Sequence, residues 1–272
     1  MTGFKSLFKQ MFKQKSRYAY LVLLVQTFAV IFMFLVGLIT KNNSLAVSGN
    51  DNALTMWDII LLHGAWTTVI GDLVFLGLLC WQNEKINLSQ TWQLIPCSSI
   101  KIWLTNVFSS LVECAYIFII QAVIGLVVSL IDCFSYKMPL SKFIGPVRFS
   151  WGDVQGTVEV GLYIASICLI VFVFVSFANL LTRAIIDQLP VKNTLGIKIF
   201  VMAILVIIAV LIAARFNDQA TIMYTKRMMK GNSEGSVDLI AFAIYEYIGG
   251  SIILGIIDAL LIQKFVEPKI RG

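Results

Sequence analysis

Residues 18–40 read YAYLVLLVQTFAVIFMFLVGLIT, an apolar stretch without a charged side chain. A transmembrane helix needs about 20 consecutive apolar residues, so this stretch predicts a membrane span. Five further apolar runs follow it along the chain. The six predicted spans cover about residues 18–40, 56–81, 100–131, 158–181, 197–214 and 239–262. The sequence therefore predicts an all-α polytopic membrane protein with six transmembrane helices, in which residues 18–272 form a single transmembrane domain.

The composition agrees with this fold class. Of the 272 residues, 58% are hydrophobic and 13% are charged, whereas a soluble domain is about half apolar and about a quarter charged. This balance excludes a soluble enzyme, a disordered chain and a nucleic-acid-binding protein built on a basic surface. The formal charge of +6 is therefore a signal of membrane topology, and we expect no nucleic-acid partner.

Residues 1–17, MTGFKSLFKQMFKQKSR, predict an amphipathic helix in the cytoplasmic interface of the bilayer. Apolar residues recur at helical spacing on one face, and lysines occupy the other face, toward anionic headgroups. The apolar residues are Phe4, Leu7, Phe8, Met11 and Phe12, and the lysines are Lys5, Lys9 and Lys13. The alternative is the basic start of a cleaved signal peptide, but the apolar run that follows is too long for one.

The distribution of positive charge predicts the orientation. With the N-terminus in the cytoplasm, 13 lysines and arginines fall in cytoplasmic segments and 8 in outer loops, as the positive-inside rule expects. Trp81 and Trp103 then lie at the inner interface, where tryptophan is enriched. Six spans return the C-terminus to the cytoplasm, so the sequence predicts a multi-pass plasma-membrane protein with both termini inside.

Motifs for covalent chemistry are missing from the sequence. There is no G-x-x-x-x-G-K-[ST], so the chain has no P-loop for ATP. The single histidine, His63, excludes a multi-histidine metal site. The five cysteines form no C-x-x-C pair and predict no disulfide framework. We therefore expect that this chain is not an enzyme and holds neither a cofactor nor a metal ion.

The cytoplasmic link between the second and third spans is the most informative segment. Residues 81–103 read WQNEKINLSQTWQLIPCSSIKIW, too apolar for a solvated loop and too polar for a span. Gln90–Ile95 predicts a short amphipathic helix that Pro96 ends, and Ser98 or Ser99 is suited to cap the next helix. Such a helix either docks into a groove on a soluble partner or only anchors the chain at the bilayer surface.

This link resembles that of the permease subunits of type-two ABC exporters, and more specifically of small antimicrobial-peptide exporters of Firmicutes. An acidic residue begins the link in that family, a T-x-x-L-L-x-x-P-x-S-like stretch follows, and the link contacts the ATPase subunit as a coupling helix. Cys97 stands where the family often has a small aliphatic residue. The residues that carry the resemblance, and the coupling role it implies, are Glu84, Thr91, Trp92, Leu94, Ile95 and Pro96.

The resemblance also implies the partners. A soluble ABC ATPase subunit would bind ATP and Mg²⁺, and a second permease chain, identical or a sister, would complete the substrate path across the bilayer. The implied cargo is a bacteriocin-like peptide or another amphipathic substrate, moved out of the cell for export or immunity. The second cytoplasmic link, residues 182–198, would be another ATPase contact, in which Arg183 and Asp187 are spaced to form a pair on a helix. An ordinary basic loop is the alternative there.

Four acidic residues interrupt the apolar runs, and an intramembrane carboxyl group is a functional hypothesis by default. They are Asp72, Glu113, Glu246 and Asp258. Because the lysines and arginines flank these runs, we expect the four acids to have no basic partner. Acids of this kind predict a path for a cationic substrate. Alternatively, the acids are protonated or hydrogen-bonded to neighbouring helices.

The sequence leaves two other functions and one question of helix packing open. The four acids fit an ion-coupled secondary transporter, although no repeat or broken helix supports one. A membrane-embedded enzyme lacks a nucleophile–base pair or a metal constellation. Small residues recur four apart at Ser251, Gly255 and Ala259, a spacing that lets helices approach closely, either within the chain or between two copies.

Overall fold

The chain is helical throughout the part that the structure describes. A computed structural model describes residues 3–40, 56–87, 89–135, 151–186, 194–228 and 235–266, and no strand occurs among them. The helices are α1 (Phe4–Thr40), α2 (Met56–Asn87), α3 (Gln90–Gln93), α4 (Ser99–Ser135), α5 (Trp151–Ile186), α6 (Thr194–Met228) and α7 (Gly235–Leu261). A π-helical turn, Ile262–Val266, follows α7.

Five helices, α1, α2, α4, α5 and α7, are long and apolar enough to cross a membrane. Within α6 the apolar stretch is shorter and covers Ile199–Ile212. This is the fold of an all-α membrane protein, as the sequence predicts, while the count of six spans stays a prediction. The helices extend past the apolar runs because helix formation does not need apolar residues, whereas residence in hydrocarbon does.

The predicted N-terminal segment is the first part of α1. No proline or glycine stands between residues 4 and 36, so nothing ends the helix near residue 17. The three lysines expected to face headgroups are exposed. Phe8 contacts Phe108 of α4, with ring centroids 5.8 Å apart. The apolar face of this segment therefore packs on protein, and its position relative to a bilayer stays a prediction.

The chain is divided into two compact units. The first comprises Met1–Phe8, Asn83–Leu111 and Ser150–Gly272, and the second comprises Lys9–Gln82 and Val112–Phe149. In the first unit, α5 packs along α7, and both helices contact α6. In the second unit, hydrogen bonds between polar side chains join α1, α2 and α4.

Candidate functional site

The link between α2 and α4 contains a single helical turn, α3, which ends earlier than the predicted helix Gln90–Ile95. After α3 the chain turns tightly, and the N–H group of Cys97 donates to the Ile95 carbonyl oxygen at 2.7 Å. The Ser98 carbonyl oxygen then accepts from the N–H groups of Lys101 and Ile102 at 3.0 and 3.2 Å. Ser98, one of the two predicted cap residues, thus immediately precedes α4.

Trp92 holds α3 against the long helices of the first unit. Its half-buried indole lines a small recess formed by residues of α2, α4, α5 and the π-helical turn. The other lining residues are Ile86, Asn87, Ser99, Ile102, Trp103, Leu180 and Ile262. Leu94, in contrast, has 84% of its surface exposed. One face of the link is therefore held by this chain, and an apolar side chain on the other is open to another protein.

The other predicted coupling residues of the link also differ in their exposure to solvent. Thr91 and Pro96 are exposed, whereas Ile95 is half-buried. Arg183 is exposed in the last turn of α5. Asp187 lies outside the described residues, so the pair between Arg183 and Asp187 stays a prediction.

Glu84 lies near the C-terminal end of α2, beside a buried polar cluster. Asn106 of α4 donates to the Asn83 carbonyl oxygen at 3.0 Å and to Asn87 Oδ1 at 2.9 Å. Ser110 donates to Asn83 Oδ1 at 2.7 Å, and Asn87 Nδ2 donates to Glu84 Oε1 at 3.5 Å. These bonds join the end of α2 to α4, so the two helices that flank α3 are fixed to each other.

Trp103 connects the recess to a buried acid. Its Nε1 donates to Ser176 Oγ of α5 at 3.0 Å, and the Ser176 hydroxyl lies beside the Asp258 carboxyl of α7. Asp258 is fully buried, and neither carboxyl oxygen has a hydrogen bond of ordinary geometry among the described residues. The Trp103 indole is buried between helices of the protein, and its predicted depth at the inner interface of the bilayer stays a prediction.

Gly255 allows the close contact between α7 and Trp103. A Cβ atom at Gly255 would come 3.3 Å from Trp103 Cη2, tighter than an ordinary van der Waals contact. Of the two readings of the small-residue spacing in α7, this contact favours packing within the chain.

Relative to Gly249→Ala, replacing Gly255 with alanine is expected to lower the free energy of unfolding by about 1–3 kcal/mol, because the buried indole must shift and overpacking has a cost of that size. Gly249→Ala in the same helix is the matched control, since a Cβ there meets no atom within 4 Å. Alanine favours a helix by about 1 kcal/mol over glycine, so the control is expected to be neutral or stabilising. Thermal unfolding in detergent measures both variants. Equal unfolding midpoints would contradict the close contact.

Glu113 is fully buried in the second unit and has a basic neighbour. Lys15 of α1, also fully buried, interacts electrostatically with it. Ser16 Oγ lies 2.7 Å from Glu113 Oε1 and 2.8 Å from the Phe12 carbonyl oxygen, so its single proton has two acceptors. The prediction that Glu113 lacks a basic partner is wrong. Lys15 precedes the predicted first span, and the continuity of α1 brings it against α4.

Asp72 belongs to a polar cluster of the second unit. Its Oδ1 accepts from Gln121 Nε2 of α4 at 2.8 Å. The same Nε2 lies 3.2 Å from Gln26 Oε1 of α1, and Gln26 Nε2 donates to Thr68 Oγ1 at 2.5 Å. Hydrogen bonding to a neighbouring helix, one of the two alternatives to a substrate path, is thus confirmed for Asp72.

Glu246 is half-buried in α7, as Asp72 is in α2, whereas Glu113 and Asp258 are fully buried. The adjacent Tyr247 ring lies 6.0 Å from the Tyr163 ring of α5, measured between centroids. The structure therefore places Glu246 and Asp258 on one helix of the first unit, and Glu113 and Asp72 in the second unit.

No protein-family model, curated protein or solved structure matches the chain. The resemblance to ABC exporter permeases thus rests on the residues of the link and on the helical architecture. Within the described ranges, no group of three or more His, Cys, Asp or Glu residues is placed to hold a metal ion.

The most informative contacts of the site join residues far apart in the sequence. Ser176 stands inside an apolar run, and nothing in its neighbours predicts that it faces Trp103 or Asp258. A polar residue within an apolar run is the only sequence signal, and it identifies a buried partner without saying which one. Asn106 and Ser110, one helical turn apart, carried the same signal for the cluster at the end of α2.

Proposed function

We propose that the chain is the membrane-spanning permease subunit of an ATP-driven ABC exporter. Its six transmembrane helices include α6, which crosses through Ile199–Ile212, and both termini lie in the cytoplasm at the plasma membrane. A separate soluble ATPase subunit binds ATP and Mg²⁺, and a second permease chain completes the substrate path. The observation that carries the proposal is the two-sided link, in which Trp92 lines a recess of this chain and Leu94 is exposed.

The recess converts movement of α3 into movement of the long helices. The ATPase contacts the exposed side of the link and displaces α3 when it binds ATP. Trp92 lines the recess together with residues of α2, α4, α5 and the turn after α7. A close-packed interior transmits a displacement with little compression, so these elements shift together. Such a rigid-body change is the kind that opens a path on one side of a membrane and closes it on the other.

The polar cluster at the end of α2 supports this transmission. Asn106 joins α4 to both Asn83 and Asn87, and Asn87 also holds Glu84. A hydrogen-bonded buried cluster resists separation because each broken bond leaves a polar group without a partner. Glu84 thereby acts as a positioning residue at the start of the link.

The intramembrane acids favour a cationic amphipathic cargo, and we infer a peptide of the bacteriocin class, moved out of the cell for export or immunity. Glu113 interacts with Lys15, and Asp72 accepts from Gln121. Glu246 is half-buried and is the better placed of these three to meet a positive group on a substrate. We therefore assign the cationic part of the cargo to the neighbourhood of Glu246.

An ion-coupled secondary transporter is the second candidate function, favoured by the buried Asp258 carboxyl. Transport by the purified complex in lipid vesicles separates the two. With a fluorescent cationic amphipathic peptide as the probe, ATP without an ion gradient is expected to drive uptake into inverted vesicles, and a non-hydrolysable ATP analogue is expected to fail. Uptake that follows a proton gradient without ATP would contradict the exporter proposal and support the secondary transporter.

A further inference from the structure

Asp258 is a carboxyl group in an environment that disfavours its ionised form. The residue is fully buried, and both oxygens lack a hydrogen bond of ordinary geometry among the described residues. A buried carboxylate is costly unless it is paired and hydrogen-bonded, whereas a neutral carboxyl avoids most of that cost. The packed arrangement of the first unit therefore favours a proton on Asp258.

The elements packed near Asp258 offer no described ion-pair partner for it. The polar side chain beside the Asp258 carboxyl is the hydroxyl of Ser176 on α5, which carries no charge. The charged residues at the same end of the neighbouring elements are Glu84 and Lys85 on α2, Lys101 on α4, Arg183 on α5, Lys198 on α6 and Lys264 in the π-helical turn. Arg183 and Lys264 are exposed, and Lys101 is half-buried. Whether Lys198 pairs with the Asp258 carboxyl is tested by the variant Lys198→Met.

Asp258 is also adjacent to the recess that receives α3. Trp103 lines that recess and donates to Ser176, which lies beside Asp258. Two further recess residues, Leu180 and Ile262, stand one helical turn beyond Ser176 and Asp258, where side chains are neighbours on the helix surface. Displacing Trp92 from the recess therefore disturbs the packing that keeps water from the carboxyl.

We propose that Asp258 is a proton-binding site whose occupancy is coupled to the position of α3. While Trp92 lines the recess, Asp258 holds a proton. When α3 moves, water reaches the carboxyl, the proton leaves to water as hydronium, and a hydrated carboxylate stays behind. By thermodynamic reciprocity, a rise in pH then favours the displaced position of α3. The proton site stands on this chain alone, whereas its part in transport rests on the proposed function.

Infrared spectroscopy and carbodiimide labelling of the purified chain in detergent test the proton site. At about neutral pH, where ordinary aspartic acids are ionised, the wild-type chain is expected to show a protonated-carboxyl band that Asp258→Asn loses. A hydrophobic carbodiimide, which reacts with protonated carboxyls, is expected to modify Asp258, as read by peptide mass spectrometry. Glu246→Gln in the same helix is the matched control and is expected to keep both signals.

Two outcomes would overturn the proton site. Identical infrared bands in the wild type and in Asp258→Asn, with no adduct on Asp258, would show that the carboxyl is ionised. A band that appears only in Lys198→Met would show that Lys198 pairs with the carboxylate. Neither measurement needs an ATPase partner, so failure of the exporter proposal and failure of the proton site are distinguishable.

The coupling to α3 is tested by two neighbouring substitutions. Trp92→Ala removes an indole that lines the recess, and the Asp258 band is expected to disappear at a lower pH than in the wild type. Leu94→Ala truncates an exposed side chain and is expected to keep the wild-type pH dependence. The same pH dependence in all three proteins would overturn the coupling and leave the proton site intact.

Discussion

Replacing both Trp92 and Leu94 with alanine is expected to abolish transport that depends on the ATPase partner, while the chain remains in the membrane. The two side chains act on opposite sides of α3. Leu94 is exposed and Trp92 lines the recess. In the proposed exporter, Leu94 contributes contact area to the ATPase subunit. The double variant therefore loses both the contact with the ATPase and the connection to the long helices.

The single variants separate these two contributions. Fully burying a leucine side chain contributes about 1.5–3 kcal/mol. Leu94→Ala is therefore expected to weaken association with the ATPase roughly tenfold to a hundredfold. Trp92→Ala is expected to leave more of the association intact, while ATP hydrolysis continues without transport. Thr91→Ala, at an exposed position in the same turn, is the control. Normal coupling of hydrolysis to transport in the double variant would contradict the role of α3.

Replacing Lys15 with methionine is expected to destabilise the protein by about 1–3 kcal/mol, the usual cost of leaving a buried polar group without its partner. Lys15 and Glu113 are both fully buried and interact electrostatically. In Lys15→Met, Glu113 keeps its contact with the Ser16 hydroxyl but loses its basic neighbour. Chemical or thermal unfolding of the purified chain in detergent measures the loss.

A double variant gives the decisive comparison for this pair. Lys15→Met combined with Glu113→Gln removes both charges, and it is expected to recover most of the stability lost by Lys15→Met. Lys13→Met, an exposed lysine of the same helix, is the control and is expected to change stability by about 0.5 kcal/mol or less. A double variant whose loss equals the sum of the two single losses would show that the residues do not interact.

The helices were predictable because a span depends on local composition. A run of apolar residues such as 18–40 favours the hydrocarbon core of a bilayer because of its own composition, independently of the helices that it contacts. Pro96 likewise indicated a short helix before it through its missing N–H group, although α3 ends earlier, at Gln93. The position of α3 within a few residues followed from these local signals, and so did the early start of α4 at Ser99.

The contacts between helices were not predictable from spacing. Lys15 and Ser16 stand next to the predicted first span, and Glu113 stands in the third, so only the packing of α1 on α4 brings them together. The same holds for Trp103, Ser176 and Asp258, which come from three different helices. Helix packing depends on ridges and grooves of whole surfaces, and a single sequence does not reveal which surfaces meet.

These contacts change the roles of the four intramembrane acids. As a set they predicted one cation path, but the structure gives each acid a different environment. Lys15 is near Glu113, Gln121 donates to Asp72, and Asp258 is enclosed beside a serine. Glu246 and Asp72 are both half-buried, but Asp72 already accepts a hydrogen bond from Gln121, so Glu246 is the better placed of the two to meet a cargo.

Affinity purification of the tagged chain in mild detergent, followed by mass spectrometry and an ATPase assay, tests the central claim most directly. The account predicts a co-purifying soluble ATPase that is lost when Trp92 and Leu94 are both replaced by alanine. The Thr91→Ala chain is expected to retain it. A stable, membrane-derived chain that co-purifies with no ATPase in any of these forms would contradict the exporter proposal.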